Sequence, residues 1–412
     1  MRFVMIDLDL SAEVTPTVEL RSADRGVAIL VRQRGRPLAF VLHEEPGPVR
    51  IDPPRLDRLV SAAAGPELAQ EALRHELGGE RSPPQPVSVT VAICTRDRPD
   101  RVVRCVRSLL ELRSATDARL PVLVVDNAPS DDGTRAAVGR LADVQYVCEP
   151  RPGLDFARNR ALEEAQTAYV AFLDDDVVVD GAWLAGLEEA LAEQPDAAIV
   201  TGLVLPLELE TEAQILFELR GGFRRGFRKL RYEDADHPGS PLYPCGAGIF
   251  GAGCNMVVDR QALQSLGGFD EALDTGPPLP GGGDLDIFYR VIRSGRPLAY
   301  EPRMLVFHEH RREYDALRRQ YRSWGAGFMS FVAKSYGWDV EERRSLRRVV
   351  RWWYTDQLRE LASSLRSPRG TRPRLVGAEL VGGIAGIAGT YQRSLRRARR
   401  IRERWATSNR CP

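Results

Sequence analysis

Asp174, Asp175 and Asp176 close the apolar run Tyr169-Val170-Ala171-Phe172-Leu173, and this is where the 412-residue chain concentrates the chemistry it could do. A buried strand ending in adjacent acids must hold them where water, a cation or hydrogen-bond donors offset their repulsion. If the strand persists, Asp174 and Asp176 share one side. An Asp-x-Asp pair of that kind grips a hard cation through oxygen, and the cation can hold a diphosphate. The competing reading is a helix cap, since Asp180 before Gly181-Ala182-Trp183 marks a helix start close by.

Positioning these acids requires a substantial core. A hydrophobic content of 43% over this length predicts one large catalytic domain with flanking pieces. The six cysteines form no C-x-x-C pair, and Cys94, Cys105 and Cys148 lie inside apolar patterns, so neither a zinc site nor a disulfide framework is expected. Acids interrupt the apolar start Met1 to Leu10, which does not read as a signal peptide, and the expected location is cytoplasmic. Net charge is +1, yet 18 arginines face six acids from Glu341 onward. An acidic body therefore carries a basic tail.

Val27 to Val31 and Pro37 to Leu42 alternate as a hairpin turning at Arg34-Gly35, followed by a helix from about Pro54 to Leu77. Gly78-Gly79 and the proline-rich stretch to Pro86 form a linker, so residues 1–80 make a small α+β module with no evident chemistry. The pattern then becomes strand, helix, strand, helix. Strands are expected at Val87 to Ile93, Val122 to Val125, Val144 to Val147 and Tyr169 to Leu173. Helices are expected at Pro99 to Leu112, from Asp131 and at Phe156 to Ala165. Such alternation predicts an α/β fold, a mostly parallel sheet with helices on both faces, whose ligands sit at the carboxyl ends of the strands. Thr95-Arg96, Asp126-Asn127 and Asp174 to Asp176 occupy three such ends and should converge.

Farther on, Arg220 to Arg231 reads as a loop, and Gly246 to Met256 is dense in small residues that permit close backbone approach. The Pro/Gly-rich loop Thr275 to Gly283 leads to Asp284-Leu285-Asp286, which opens a helix through Arg293. His308-Glu309-His310 follows a strand at Met304 to Phe307.

Val89 to Arg96, Val124-Val125-Asp126-Asn127, Gly153 to Asn159, Phe172 to Asp176, Gly267-Gly268-Phe269-Asp270 and Gly283-Asp284-Leu285-Asp286 fall in the order seen in glycosyltransferase family 2. From about residue 87 to 312 the chain resembles an inverting, nucleotide-sugar-dependent enzyme of the GT-A (Rossmann-like) fold. It departs from the family at Gly283, where Glu-Asp is often written. The resemblance implies Asp284 as catalytic base. It places Thr95, Arg96, Asp126, Arg158, Asp174 and Asp175 on the nucleotide sugar, and Asp174, Asp176 and His308 on Mn²⁺ or Mg²⁺. His308 and His310 also read as a solvated charged strand end, and Asp286 as structural.

That chemistry suits the residues. A cation offsets charge growing on a departing diphosphate, and a carboxylate at a helix start can take the proton of an acceptor hydroxyl. The implied acceptor is a glycan, a lipid-linked saccharide or a small molecule. A nucleotidyltransferase is the rival, but Cys94-Thr95-Arg96-Asp97-Arg98-Pro99 lacks the glycine-rich phosphate loop it needs. A nucleic-acid-binding protein has only the basic tail in its favour, and no nucleic acid is expected.

Residues 313–412 read as a helical, arginine-rich extension. Leu375 to Tyr391 is an apolar stretch with Gly382-x-x-x-Gly386, too short to span a bilayer and burdened by Glu379. Two placements compete: a helix lying on an anionic membrane surface, making the protein peripheral, or a helix packed on the catalytic domain through its glycines.

Overall fold

The computed structural model describes residues 2–12, 15–77, 86–116, 119–234, 242–366 and 371–405. The expected linker, apart from Pro86, lies outside them.

The front piece is built from β1 (Arg2–Asp9), β2 (Val18–Leu20), β3 (Asp24–Gln33), β4 (Arg36–Glu44), β5 (Val49–Ile51) and α1 (Pro53–Leu77). The hairpin β3–β4 turns at Arg34-Gly35 as expected, both residues having positive φ. The sequence pattern does not announce β1, because Asp7 and Asp9 break its apolar alternation; it pairs parallel to β3. One face of this sheet packs on α1 through Val27, Ile29, Leu56 and Val60. The other shares a core with the body through Phe3, Ala28, Leu30 and Phe40. Arg32 pairs with Asp180 at 2.7 Å, and Arg36 with Glu189 at 2.7 Å.

The body follows as β6 (Val89–Thr95), α2 (Pro99–Thr116), β7 (Val122–Asn127), α3 (Gly133–Val138), β8 (Val144–Glu149), α4 (Leu154–Glu164), β9 (Tyr169–Asp174), β10 (Val177–Val179), α5 (Trp183–Glu193) and β11 (Ile199–Pro206). Then come α6 (Glu212–Leu219), β12 (Leu230–Tyr232), β13 (Asn255–Asp259), α7 (Arg260–Ser265), β14 (Asp274–Gly276), β15 (Leu279–Pro280), α8 (Gly283–Arg293) and β16 (Leu298–His308). The sheet runs β10-β16-β11-β13-β9-β6-β7-β8, with β12 beside β16. It is the mostly parallel α/β sheet anticipated, since β6, β7, β8, β9, β11 and β16 run one way. Two cores sandwich it, one holding Val102, Val106, Leu109 and Trp183, the other Phe156's neighbours Ala157 and Ala161 with Phe269 and Phe288.

β13 enters antiparallel between β9 and β11, pairing Asn255 with Leu173. An antiparallel strand begins where its parallel neighbour ends, so the glycine-rich segment before Asn255 arrives at the carboxyl edge beside Asp174.

The C-terminal extension is helical: α9 (Tyr314–Trp338), α10 (Arg343–Arg366), α11 (Pro373–Ala385), a π-turn over Gly386–Thr390, and α12 (Tyr391–Trp405). The single helix expected over Leu375 to Tyr391 is broken, because Ala388 and Gly389 leave helical geometry, Gly389 with φ +87°. α11 packs on α9 through glycines: a Cβ on Gly382 would lie 2.0 Å from the Arg322 carbonyl, and one on Gly325 2.0 Å from that of Glu379. Glu379 is buried and accepts from Arg220 Nη1 at 2.7 Å. Of the two placements for this stretch, the glycine-packed one is observed. Among the described residues no helix is long and apolar enough to cross a membrane.

Cys94, Cys105, Cys245 and Cys254 are free thiols. Cys148 is disulfide-bonded, against the expectation from its apolar surroundings.

Candidate active site

β9 stops at Asp174, and Asp175 and Asp176 form the turn into β10. The turn, rather than strand alternation, therefore sets the directions of the three carboxylates. Asp175 points back under the sheet edge, where Thr95 donates its hydroxyl at 2.7 Å and Arg98 its guanidinium at 3.0 Å. Burial pushes the Asp175 carboxyl above its ordinary value, and Arg98 partly reverses this. Thr95, expected against the nucleoside, thus has its hydroxyl committed to Asp175, while Arg96 is exposed and lies 3.6 Å from Asp97.

Asp176 is buried, with Arg311 at 3.5 Å and Arg101 at 3.8 Å from Oδ2. Its Oδ1 makes no hydrogen bond and lies 3.3 Å from His308 Nε2. His308 is not a solvated strand end: it and His310 are buried, joined Nδ1 to Nδ1 at 2.9 Å, and His310 Nε2 reaches Glu218 at 2.8 Å. Burial, together with His310 and Arg311, pushes the His308 pKa well down, so its ring is neutral.

Asp174 faces the centre of the site. Burial, then Asp176, raises its pKa to about 7 against the pull of Arg158. Arg158 lies on α4 and is buried, donating to Asp155 at 3.0 Å. Burial opposes its charge, but Asp155, Asp174, Asp274 and Asp284 together hold its pKa above the ordinary value. One cation is surrounded by four carboxylates. Two of them, Asp155 and Asp274, were not expected site residues. The signal for Asp155 is its place one helical turn before Arg158 in the Gly153 to Asn159 motif. Burial raises the Asp155 pKa to about 7 and that of Asp274 well above normal.

Asp284 opens α8 and accepts from the Gly253 N–H at 3.2 Å. A Cβ on Gly253 would meet Arg158 Nη2 and Asp284 Cβ, each at 3.0 Å, which is why the segment before β13 must be glycine there. Asp286 is turned away, held by Arg290 at 2.7 Å and Lys334 at 2.6 Å, as its structural reading requires.

Asp126, next to last in β7, is fully buried. Oδ2 accepts from Tyr146 at 2.9 Å, Oδ1 has no partner, and burial raises its pKa to about 6. The turn work falls to Asn127, which donates to the Arg151 carbonyl at 2.7 Å and accepts from Gly153 N–H at 2.9 Å. Asp126 is left with an oxygen to offer a ligand.

Whether these residues fit a divalent cation follows from the unpaired groups. Among the described residues no group of three or more His, Cys, Asp or Glu side chains is arranged to hold a metal ion by itself. An open edge of one or two carboxylates completed by phosphate oxygens needs none. The orphaned Asp176 Oδ1, the neutral His308 Nε2 beside it and the crowded Asp174 carboxylate form such an edge, and the surplus negative charge around Arg158 favours a cation. The donor set fits Mn²⁺ or Mg²⁺.

The profile of Glycosyl transferase family 2 matches residues 90–244, and that of Glycosyl transferase family group 2 matches residues 169–367. The chain is 30% identical over 229 residues to succinoglycan biosynthesis protein ExoM of Rhizobium meliloti, spanning 54% of this chain and 67% of that protein. It belongs to glycosyltransferase family 2. Within the family it is also 30% identical over 294 residues to the pre-mycofactocin glycosyltransferase of Mycobacterium tuberculosis, covering 66% of this chain. It spans about half of that relative's length, 55%. A mannosyltransferase from Pyrobaculum calidifontis, solved with GDP-Man and Mn2+, aligns over 84% of each chain at 16% identity with a TM-score of 0.43. The two family profiles overlap on Asp174 to Asp176; the first also holds Thr95, Asp126 and Arg158, the second Asp284 and His308.

Proposed function

We propose that the protein transfers a sugar from a nucleotide-diphosphate sugar to an acceptor hydroxyl in one inverting displacement. The observation that carries this reading is the juxtaposition of Asp284 with Gly253 and Arg158, on the edge where Asp174 ends β9. Asp284 is the base: it is half-buried at a helix start, accepts only from the backbone N–H groups of Gly253 at 3.2 Å and Leu285 at 2.9 Å, and can take the proton as the acceptor oxygen attacks. Attack from the face opposite the departing diphosphate inverts the anomeric carbon.

Arg158 supplies a fixed positive charge toward the nucleotide diphosphate, oriented by Asp155. Asp126 offers its free oxygen to the ribose or base. Asp175, clamped by Thr95 and Arg98, fixes the turn that carries Asp174 and Asp176. When bound there by Asp174, Asp176 and His308, Mn²⁺ or Mg²⁺ would neutralise charge developing on the diphosphate.

The relatives' names support a role in building glycans or glycosylated small molecules. We place the protein in the cytoplasm, with peripheral contact at an anionic membrane, because Val381, Ile384 and Ile387 stay exposed although the glycine face of α11 packs on α9, and the arginine-rich α12 follows them. Purified protein incubated with UDP-, GDP- and dTDP-sugars and Mn²⁺ should release nucleotide from one of them, faster with acceptor. Absence of donor turnover, with pyrophosphate released instead from a nucleoside triphosphate and a sugar phosphate, would make it a nucleotidyltransferase.

A further inference from the structure

α12 fastens one face to the body and leaves another crowded with charge. Tyr391, Leu395, Ala398 and Ile401 pack toward Phe156 and Ala272, and Ser394 shares a 2.8 Å hydrogen bond with Thr275. Beside that seam, Arg393, Arg396, Arg397, Arg400 and Arg404 line an open groove of about 600 Å³ bordered by Pro278 and Ile401. Among the described residues none of the five pairs with a carboxylate, whereas Arg402, pointing elsewhere, binds Glu271. Their hydrogen bonds go to helix carbonyls and to Thr390, and Arg397 Nε is buried with no partner. Arginines three and four apart on a helix repel. Arg393, Arg396, Arg400 and Arg404 are exposed and Arg397 is half-buried, yet all five border the same groove.

The groove adjoins the catalytic edge. Pro278 is in the turn of the β14–β15 hairpin, which starts at Asp274, one of the carboxylates around Arg158. We infer that this groove is an anion subsite that holds a phosphate or diphosphate group of the acceptor, the arginines gripping its oxygens bidentately. The inference rests on the transferase reading above. No aromatic side chain lines the groove, so the stacking that single-stranded nucleic acid needs is missing.

Calorimetry on the full chain in metal-free buffer, where the catalytic carboxylates repel anions, tests this with inorganic pyrophosphate and with geranyl diphosphate. Both should bind. Arg396→Gln combined with Arg400→Gln should raise Kd about tenfold or more, and the exposed Arg399→Gln, outside the groove, should not. Tighter binding of geranyl diphosphate would point to a lipid-borne phosphate, and equal binding to a soluble phosphorylated acceptor. Failure of both to bind overturns the inference, as does an equal loss in Arg399→Gln or binding only to phosphatidylglycerol vesicles. If the double variant does not fold, slowed hydrogen exchange of α12 in the wild type on adding pyrophosphate decides, and unchanged exchange overturns it. Sugar-nucleotide turnover measured in parallel reads the transferase assignment separately: its absence with diphosphate binding intact removes the acceptor role and leaves the subsite.

Discussion

Asp155 fills the space that a side chain at residue 283 would need: a Cβ on Gly283 would fall 2.0 Å from Asp155 Oδ2. The departure from the family's Glu-Asp pattern is therefore matched by a carboxylate from α4, one that also orients Arg158. Even Gly283→Ala must push Asp155 off Arg158. A stability loss of about 1 to 3 kcal/mol is expected from overpacking, with turnover falling as well. Gly283→Glu combined with Asp155→Gly should recover more turnover than Gly283→Glu alone. Calorimetric melting and nucleotide release check both, and an unperturbed Gly283→Ala protein would remove the argument.

Asp284→Asn keeps size and hydrogen bonding but cannot take a proton. Turnover should drop about 10²-fold or more with donor affinity nearly unchanged. Full activity in this variant would require another base.

Asp176→Ala should abolish transfer and uncouple donor binding from added Mn²⁺ or Mg²⁺. Titration calorimetry of the donor with and without metal reads this directly. Retention of metal-dependent affinity would exclude Asp176 as a ligand.

Asp126 has a folded pKa of about 6 against an ordinary 3.8. Between those values the folded state holds a proton that the unfolded chain has released, so stability falls as pH rises from about 4 to 6. The accumulated cost above pH 6 is on the order of 2 to 3 kcal/mol. Asp126→Asn should therefore melt higher than wild type at pH 7 to 8, with the gap closing below pH 5, while donor affinity decreases. A pH-independent difference in melting temperature would contradict the assignment.

Gly382→Val places a side chain against the Arg322 carbonyl and should unseat α11 from α9, costing about 3 kcal/mol or more. Thermal melting would show it; an unchanged melting temperature would mean that the extension is not part of the folded body.

The sequence carries the strand-helix alternation up to Asp174 because buried parallel strands are short, continuous apolar runs that period and length separate from helices. The carboxyl-edge residues Asp126, Asp174 and Asp284 are legible for the same reason: strand ends and helix starts locate them. Thr95 is different, since its partner Asp175 lies 80 positions away, and no local pattern announces a hydroxyl committed there. Asp155 is hidden inside an amphipathic helix, where an acid ordinarily faces water. The break at Ala388–Gly389 is unreadable because Gly386 and Gly389 look alike in sequence, and only the packing of Gly386 against Ala326 distinguishes them.

The insertion of β13 bears on how this molecule can be made and cut. Until residues 255–259 slot into place, β9 and β11 each present an unpaired row of backbone donors and acceptors. A fragment ending at residue 244, where the first family profile stops, would lack both strand partners of β11, β13 and β16, and would leave β9 with an open edge. Such edges recruit other chains. Shortened forms should therefore be aggregation-prone, and during synthesis the nascent chain passes through that sticky stage before the acids at its centre are enclosed.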